Sequence, residues 1–167
     1  ARWYRKAADL YQRPAEQGDV RAQSLLGVMR KWLNEYPEAL RWLRRAADKG
    51  DVRAQWELGY MHRDGLGTKK DLLEAGKWCL KAAQQGYALA QASLGVLYET
   101  KKNFVEAAKW YLKAAQQGEP TSQNNLGALY ERGNGVPKNL VEAEAWYRKA
   151  ADQGDTTAKE NLQRLGR

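Results

Sequence analysis

The sequence predicts an all-α fold, a solenoid of stacked αα-hairpins, and three observations carry the prediction. One segment recurs four times, as "LRWLRRAADKGD" (40–51), "GKWCLKAAQQGY" (76–87), "AKWYLKAAQQGE" (108–119) and "EAWYRKAADQGD" (144–155). Each copy is preceded by a second recurring segment: "RAQSLLG", "RAQWELG", "AQASLG" and "SQNNLG". Neither segment contains proline, and both are rich in Ala, Leu, Lys, Gln and Arg, the strong helix formers. Trp42, Trp78, Trp110 and Trp146 mark the period, at spacings of 36, 32 and 36. A repeat of this length is one supersecondary unit that cannot bury its apolar face alone, so the units must stack.

Residues 1–18 read as an N-terminal helix or partial repeat. "LYQRPAEQGD" (10–19) aligns with a second helix, with Leu10 at the tryptophan position and Pro14 where alanine normally stands. "ARWYRKAAD", immediately before it, has the same character. One long helix bent near Pro14 accounts for both. Four repeats follow over about 19–50, 51–86, 87–118 and 119–154, and residues 155–167 form a capping helix. In the first helices Ala22, Leu26 and Arg30 share one face, as do Ala54, Leu58 and His62, then Ala90, Leu94 and Tyr98, then Ser122, Leu126 and Tyr130. In the second helices Ala75, Trp78 and Ala82 line one side, as do Ala107, Trp110 and Ala114, and the recurring tryptophans read as core. Gly50, Gly86, Gly118 and Gly154 stand where a left-handed residue ends a helix. Asp19, Asp51 and Asp155 follow glycine and can cap the next helix. In "TAKENLQRLGR", Gln163 replaces the glycine that recurs in the other first helices, as suits a terminal cap.

The repeats alternate in length. The first and third join their helices through "KWLNEYPE" and "ETKKNFVE"; the second and fourth insert four residues, giving "RDGLGTKKDLLE" and "ERGNGVPKNLVE".

Read together, "LG…YERGNGVPKN…EAEAWYRKAADQGD" (126–155) resembles a Sel1-like repeat, a relative of the tetratricopeptide repeat, and the resemblance covers nearly the whole chain. It implies right-handed superhelical stacking, a concave surface lined by the first helices, and an adaptor role. It admits a bacterial periplasmic or secreted adaptor, an envelope-assembly factor, or an immunity protein. In this family the paired glycines shape the turn between helices. The chain departs from the pattern in lacking Gly-x-Gly in two repeats and in carrying Cys79 and Arg30 at tyrosine positions. The cysteine pairs of some secreted relatives are also missing.

Composition narrows the function further. At 43% hydrophobic and 29% charged the 167-residue chain is globular, and no apolar run approaches the roughly 20 residues that cross a bilayer. No signal peptide is visible, but the chain opens abruptly, so bacterial periplasm, secretion and cytoplasm all stay open. A single cysteine excludes an internal disulfide framework and a cysteine-based zinc cluster. No cofactor, metal or catalytic residue is expected, and a monomer is favoured.

Four features compete as sites. "GLGTKK" (65–70) lacks the Gly-x-x-x-x-Gly-Lys-Ser/Thr order of a phosphate loop and matches a sister turn without the lysine pair, so it is a turn. His62 stands at the tyrosine position of Tyr98 and Tyr130 and reads as a packed histidine with one hydrogen bond. A Cys79–His62 dyad is the enzymatic alternative, weighed against a buried, inert thiol. The net charge of +8 suits a polyanion, but the recurring bases lie near helix C-termini, within reach of Glu38, Glu74 and Glu106 three residues before Arg41, Lys77 and Lys109. Nonspecific polyanion binding stays open, and no specific nucleic-acid recognition is expected.

The fourth feature is aromatic. Trp56, Tyr60 and Arg63 form an i, i+4, i+7 stripe whose counterparts are Ser24, Val28 and Lys31; Ala92, Val96 and Glu99; and Asn124, Ala128 and Glu131. The stripes run from basic to acidic around a Trp/Tyr platform, and Trp, Tyr and Arg are the types enriched at binding hot spots. Trp56, Tyr60, Arg63, Val28, Lys31, Val96, Glu99, Asn124 and Glu131 are therefore the candidate contacts for a protein or peptide partner. The competing reading packs Trp56 against the neighbouring repeat.

Overall fold

The computed structural model describes residues 2–166. Among them are ten helices and no strand: α1 (Arg2–Glu16), α2 (Val20–Trp32), α3 (Tyr36–Asp48), α4 (Val52–Asp64), α5 (Leu72–Gln84), α6 (Ala88–Thr100), α7 (Phe104–Gln116), α8 (Pro120–Arg132), α9 (Leu140–Asp152) and α10 (Thr156–Leu165). They fall into two compact units, Ala1–Gln85 with α1–α5 and Gly86–Arg167 with α6–α10. Within the first unit each helix packs on the next, and α2 also touches α4; in the second the same holds, with α6 against α8.

The helix ends follow the residues that stand there. Asp19, Asp51 and Asp155 accept hydrogen bonds from the amides of Ala22, Ala54 and Ala158 at 2.7, 2.7 and 2.8 Å. Each satisfies one of the free donors of a helix start. The closing glycines of the second helices take left-handed φ of 88–96°, as the sequence predicts. α1 runs unbroken through Pro14. Its register is the second of the two motifs it contains. Gln23 Nε2 donates to Ala15 O at 3.0 Å, as Gln55 does to Ala47 O and Gln123 to Ala115 O.

These buried glutamines form a recurring brace that the sequence analysis passed over. Gln85, Gln117 and Gln153, just past the second helices, donate in turn to the side chains of Gln55, Gln91 and Gln123 at 2.7–2.8 Å. The amide pairs satisfy polar atoms that burial would otherwise strand. In the first repeat Lys49 takes that place and reaches Gly18 O instead, and Gln23 Oε1 is left without a partner.

The core differs from expectation in one respect. Trp42 and Trp78 are buried, but Trp110 and Trp146 are only half-buried. In their repeats the next residue, Tyr111 or Tyr147, is fully buried. Its ring lies against the first helix where Gly95 or Gly127 has no side chain; a Cβ on Gly95 would come within 2.4 Å of the Tyr111 ring. The ring fills the gap between helices, so the indole beside it sits further out. Gln163, at the matching position of α10, is exposed.

The two glycines of each long link serve different ends. Gly65 and Gly133 end α4 and α8 in the left-handed conformation, with φ of 72° and 74°. Gly67 and Gly135 instead lie directly on the first residue of the preceding second helix. A Cβ would meet Tyr36 at 2.6 Å and the Phe104 carbonyl carbon at 2.3 Å. In the short links Asn34 and Lys102 adopt positive φ without being glycine.

Candidate functional site

The first unit gathers Lys31, Trp56, Tyr60 and Arg63 into one cluster on α2 and α4. Trp56 and Tyr60, one turn apart, have ring centroids 6.4 Å apart at 40°. Tyr60 is flanked by two cations, with Lys31 Nζ 4.9 Å and the Arg63 guanidinium carbon 4.7 Å from its ring centroid. The exposed Arg63 also pairs with Asp64 at 2.7 Å, which raises its pKa and lowers that of Asp64. A hydrogen bond to Asp64 holds the Tyr60 hydroxyl above its ordinary pKa. Trp56 and Tyr60 are both partly buried, so each rests on the fold while keeping part of its ring in solvent.

Two members of the predicted stripe have other duties. Val28 is 1% exposed and belongs to the core of the first unit, so it offers nothing to a partner. The α2 face turns further inward at that residue than the four-residue spacing implies. Lys31 bonds the Glu57 carboxylate at 2.5 Å, with both side chains largely buried. Removing one member of such a pair strands a buried charge. Lys31 therefore holds α2 to α4, and its substitution would confuse binding with folding.

Sequence reasoning also missed Trp32. This residue is 57% exposed, its indole lies 5.2 Å from Lys31 Nζ, and its ring stacks on Tyr4 at 5.9 Å and 10°. Its counterparts are Asp64, Thr100 and Arg132, a contrast as marked as that at Trp56. Glu57, also missed, faces Lys31 across two repeats, a pairing no single-repeat comparison exposes.

The second unit explains its acidic stripes internally. Glu99 accepts a 2.7 Å hydrogen bond from the Tyr111 hydroxyl, and Glu131 accepts one from Tyr147. Both hydroxyls are pushed above their ordinary pKa, first by burial and then by the carboxylate. Where the second helix carries Leu43 or Cys79 instead of tyrosine, the first helix carries Lys31 or Arg63. The change of charge along the stripes thus follows a change in the core. Glu131 is further engaged by both terminal nitrogens of Arg164 on α10. Val96 is 45% exposed, and Asn124 accepts a hydrogen bond from Asn161 at 3.0 Å.

That Arg164 contact, aided by the Tyr147 hydrogen bond, lowers the Glu131 pKa from 4.5 to about 2. A depressed carboxylate pKa contributes stability that is complete above the ordinary value and vanishes as pH falls through the lowered one. Acidification from pH 4.5 to 2 should therefore loosen α10, read as lower hydrogen-exchange protection factors there once the slower intrinsic exchange at low pH is divided out. Glu131→Gln should flatten that pH dependence.

Neither His62 nitrogen has a hydrogen-bond partner, so the single bond expected for it is not made, and no hydrogen bond joins it to Cys79. Cys79 is half-buried rather than sealed in the core. The recurring bases are largely occupied. Arg45, Lys81, Lys113 and Lys149 lie 3.9–4.9 Å from the ring centroids of Trp42, Trp78, Trp110 and Trp146. Lys77 pairs with Glu74 and Lys109 with Glu106, as expected. Glu38 turns to Arg30 rather than to Arg41, which stacks on Trp42. No described helix is long and apolar enough to cross a membrane.

With these elements placed, the Sel1 repeat family profile matches residues 1–19, 20–51, 52–87, 88–119 and 120–155. The chain belongs to the Sel1 repeat family. A Sel1 repeat protein from Oxalobacter formigenes is 35% identical with a TM-score of 0.86, over 96% of this chain and 49% of its own. The c5321 protective antigen of uropathogenic Escherichia coli, described as displaying an SLR fold, is 34% identical with a TM-score of 0.84, over 93% of this chain and 35% of its own. This Sel1 chain thus spans half or less of the length of those two relatives. The immunity protein Pa5087 of Pseudomonas aeruginosa shares the fold at 23% identity and a TM-score of 0.60, over 93% of this chain and 66% of its own. Among curated proteins none matches.

Proposed function

We propose that this Sel1 repeat chain is a non-enzymatic scaffold that binds a protein or peptide through the α2–α4 face of its first unit, centred on Trp56 and Tyr60. Sel1 repeat proteins generally mediate protein–protein interaction. The observation that carries the site is the convergence of departures from the repeat. Trp56, Tyr60 and Trp32 stand where the sister repeats carry non-aromatic residues; Tyr60 lies between Lys31 and Arg63, Trp32 lies beside Lys31, and Trp56 lies beside Tyr60. None of the three has an aromatic counterpart in another repeat. A partly buried Trp/Tyr pair is rigid and amphipathic, the character of an interface anchor. An immunity or envelope-assembly role would use the same binding mode.

The test is a quantitative pull-down comparing the wild type with Trp56→Ala/Tyr60→Ala. Captured partner should fall at least tenfold while the helical circular dichroism stays unchanged. Full capture by the double variant would remove the proposal.

A further inference from the structure

The aromatic cluster does not stop at Trp56 and Tyr60. Tyr60 leads through Lys31 to Trp32, and Trp32 stacks on Tyr4, so one band of rings crosses α4, α2 and α1. Its outer half is open, with Trp32 57% and Tyr4 38% exposed.

The charges along the band have one sign once internal pairs are removed. Its two acids are already engaged, Glu57 by Lys31 inside the fold and Asp64 by Arg63. Arg5 stands beside Tyr4 on α1, is exposed, and enters no ion pair among the described residues, while Arg2 and Lys6 lie further round that helix with Trp3. The imbalance extends to the unit. Residues 1–85 carry 17 Lys and Arg against 11 Asp and Glu, while residues 86–167 carry 11 against 9. The part of the chain that holds the aromatic band also holds most of the positive charge.

We infer that this band receives an acidic protein segment, drawn by the net positive charge of the first unit and met by Arg5 beside Tyr4, while its apolar side chains rest on Trp32, Tyr60 and Trp56. The inference rests on the binding reading above and adds the partner's chemistry and two further contacts, Trp32 and Tyr4. The ring faces give a sequence-tolerant apolar platform. The cations select sign and raise the association rate, which makes binding salt-dependent. A nucleic acid would satisfy the charge alone, but the bases that would track a phosphate backbone are spent on tryptophan faces of the second helices.

The experiment is a selection from a displayed random peptide library on the whole chain, followed by affinity measurement with the best synthetic peptide. The enriched peptides should combine several Asp or Glu with apolar residues. Binding of that peptide should weaken at least tenfold in Trp32→Ala and in Trp56→Ala/Tyr60→Ala, with unchanged circular dichroism. It should weaken with salt and persist in Val141→Ser, a change on an exposed residue of the second unit. Enrichment of neutral or basic peptides, an empty selection, or equal competition by single-stranded DNA would overturn the inference. If Trp56→Ala/Tyr60→Ala abolishes binding but Trp32→Ala and salt do not affect it, the scaffold reading stands and the acidic-segment inference falls. If none of these changes matters, both fall.

Discussion

Tyr111→Ala should lower the stability of the second unit by about 3–5 kcal/mol, the range for emptying a fully buried aromatic site. Tyr111 is fully buried and its ring is pressed against Gly95, so the facing helix has no side chain with which to fill the cavity. The change also takes the hydroxyl donor from Glu99. Tyr111→Phe separates the two contributions and should cost about 1.5–3 kcal/mol, the hydrogen bond to a charged acceptor alone. Urea unfolding followed by circular dichroism measures both. Equal losses in the two variants would show that the ring's packing contributes little.

Gly135→Ala should cost about 2–4 kcal/mol, from a left-handed conformation and a steric contact together. Its φ is +71°, and a Cβ would meet the Phe104 carbonyl carbon at 2.3 Å, its oxygen at 2.4 Å and the Val105 nitrogen at 2.6 Å. All three are backbone atoms at the start of α7, which cannot swing aside as a side-chain tip would. Gly133→Ala is the control. It shares the positive φ, at +74°, but its nearest neighbours are Lys138 Cβ at 3.1 Å and Lys138 N at 3.4 Å. It should cost about 1–2 kcal/mol, the conformational part alone. Thermal unfolding of the two variants side by side decides whether the second glycine of the link is there for the turn or for its neighbour.

The repeat made the fold legible, because a period is a statement about the backbone that no single residue has to carry. Helix caps at Asp19, Asp51 and Asp155 and the glycines after the second helices follow from local rules and stand where the sequence puts them. The aromatic stripe was visible for the same reason, as a break in the period. What could not be read is whatever depends on the neighbouring repeat. Val28 looks like the sister of Tyr60 but is core, since burial depends on the helix opposite. Lys31 looks like a free cation until Glu57 is placed beside it. The same holds for the tryptophans, whose depth is set by whether a tyrosine stands next to them. Trp32 is a different case. Its departure from Asp64, Thr100 and Arg132 is legible in the sequence, one residue beyond the position where the stripe ends.

The Gly-x-Gly links have a consequence for how such a chain can grow. The long link of the second repeat rests on Tyr36 of the first, and that of the fourth rests on Phe104 of the third. A short-linked repeat and the long-linked one after it therefore form a couple, in which one partner supplies the ledge and the other the hook. A duplication that copied a single hairpin would leave a hook facing a hook or a ledge left bare, whereas one that copied the couple would leave every contact made. The packing unit of this chain is then the pair of hairpins, and a chain lengthened by two hairpins at a time would keep both glycine contacts.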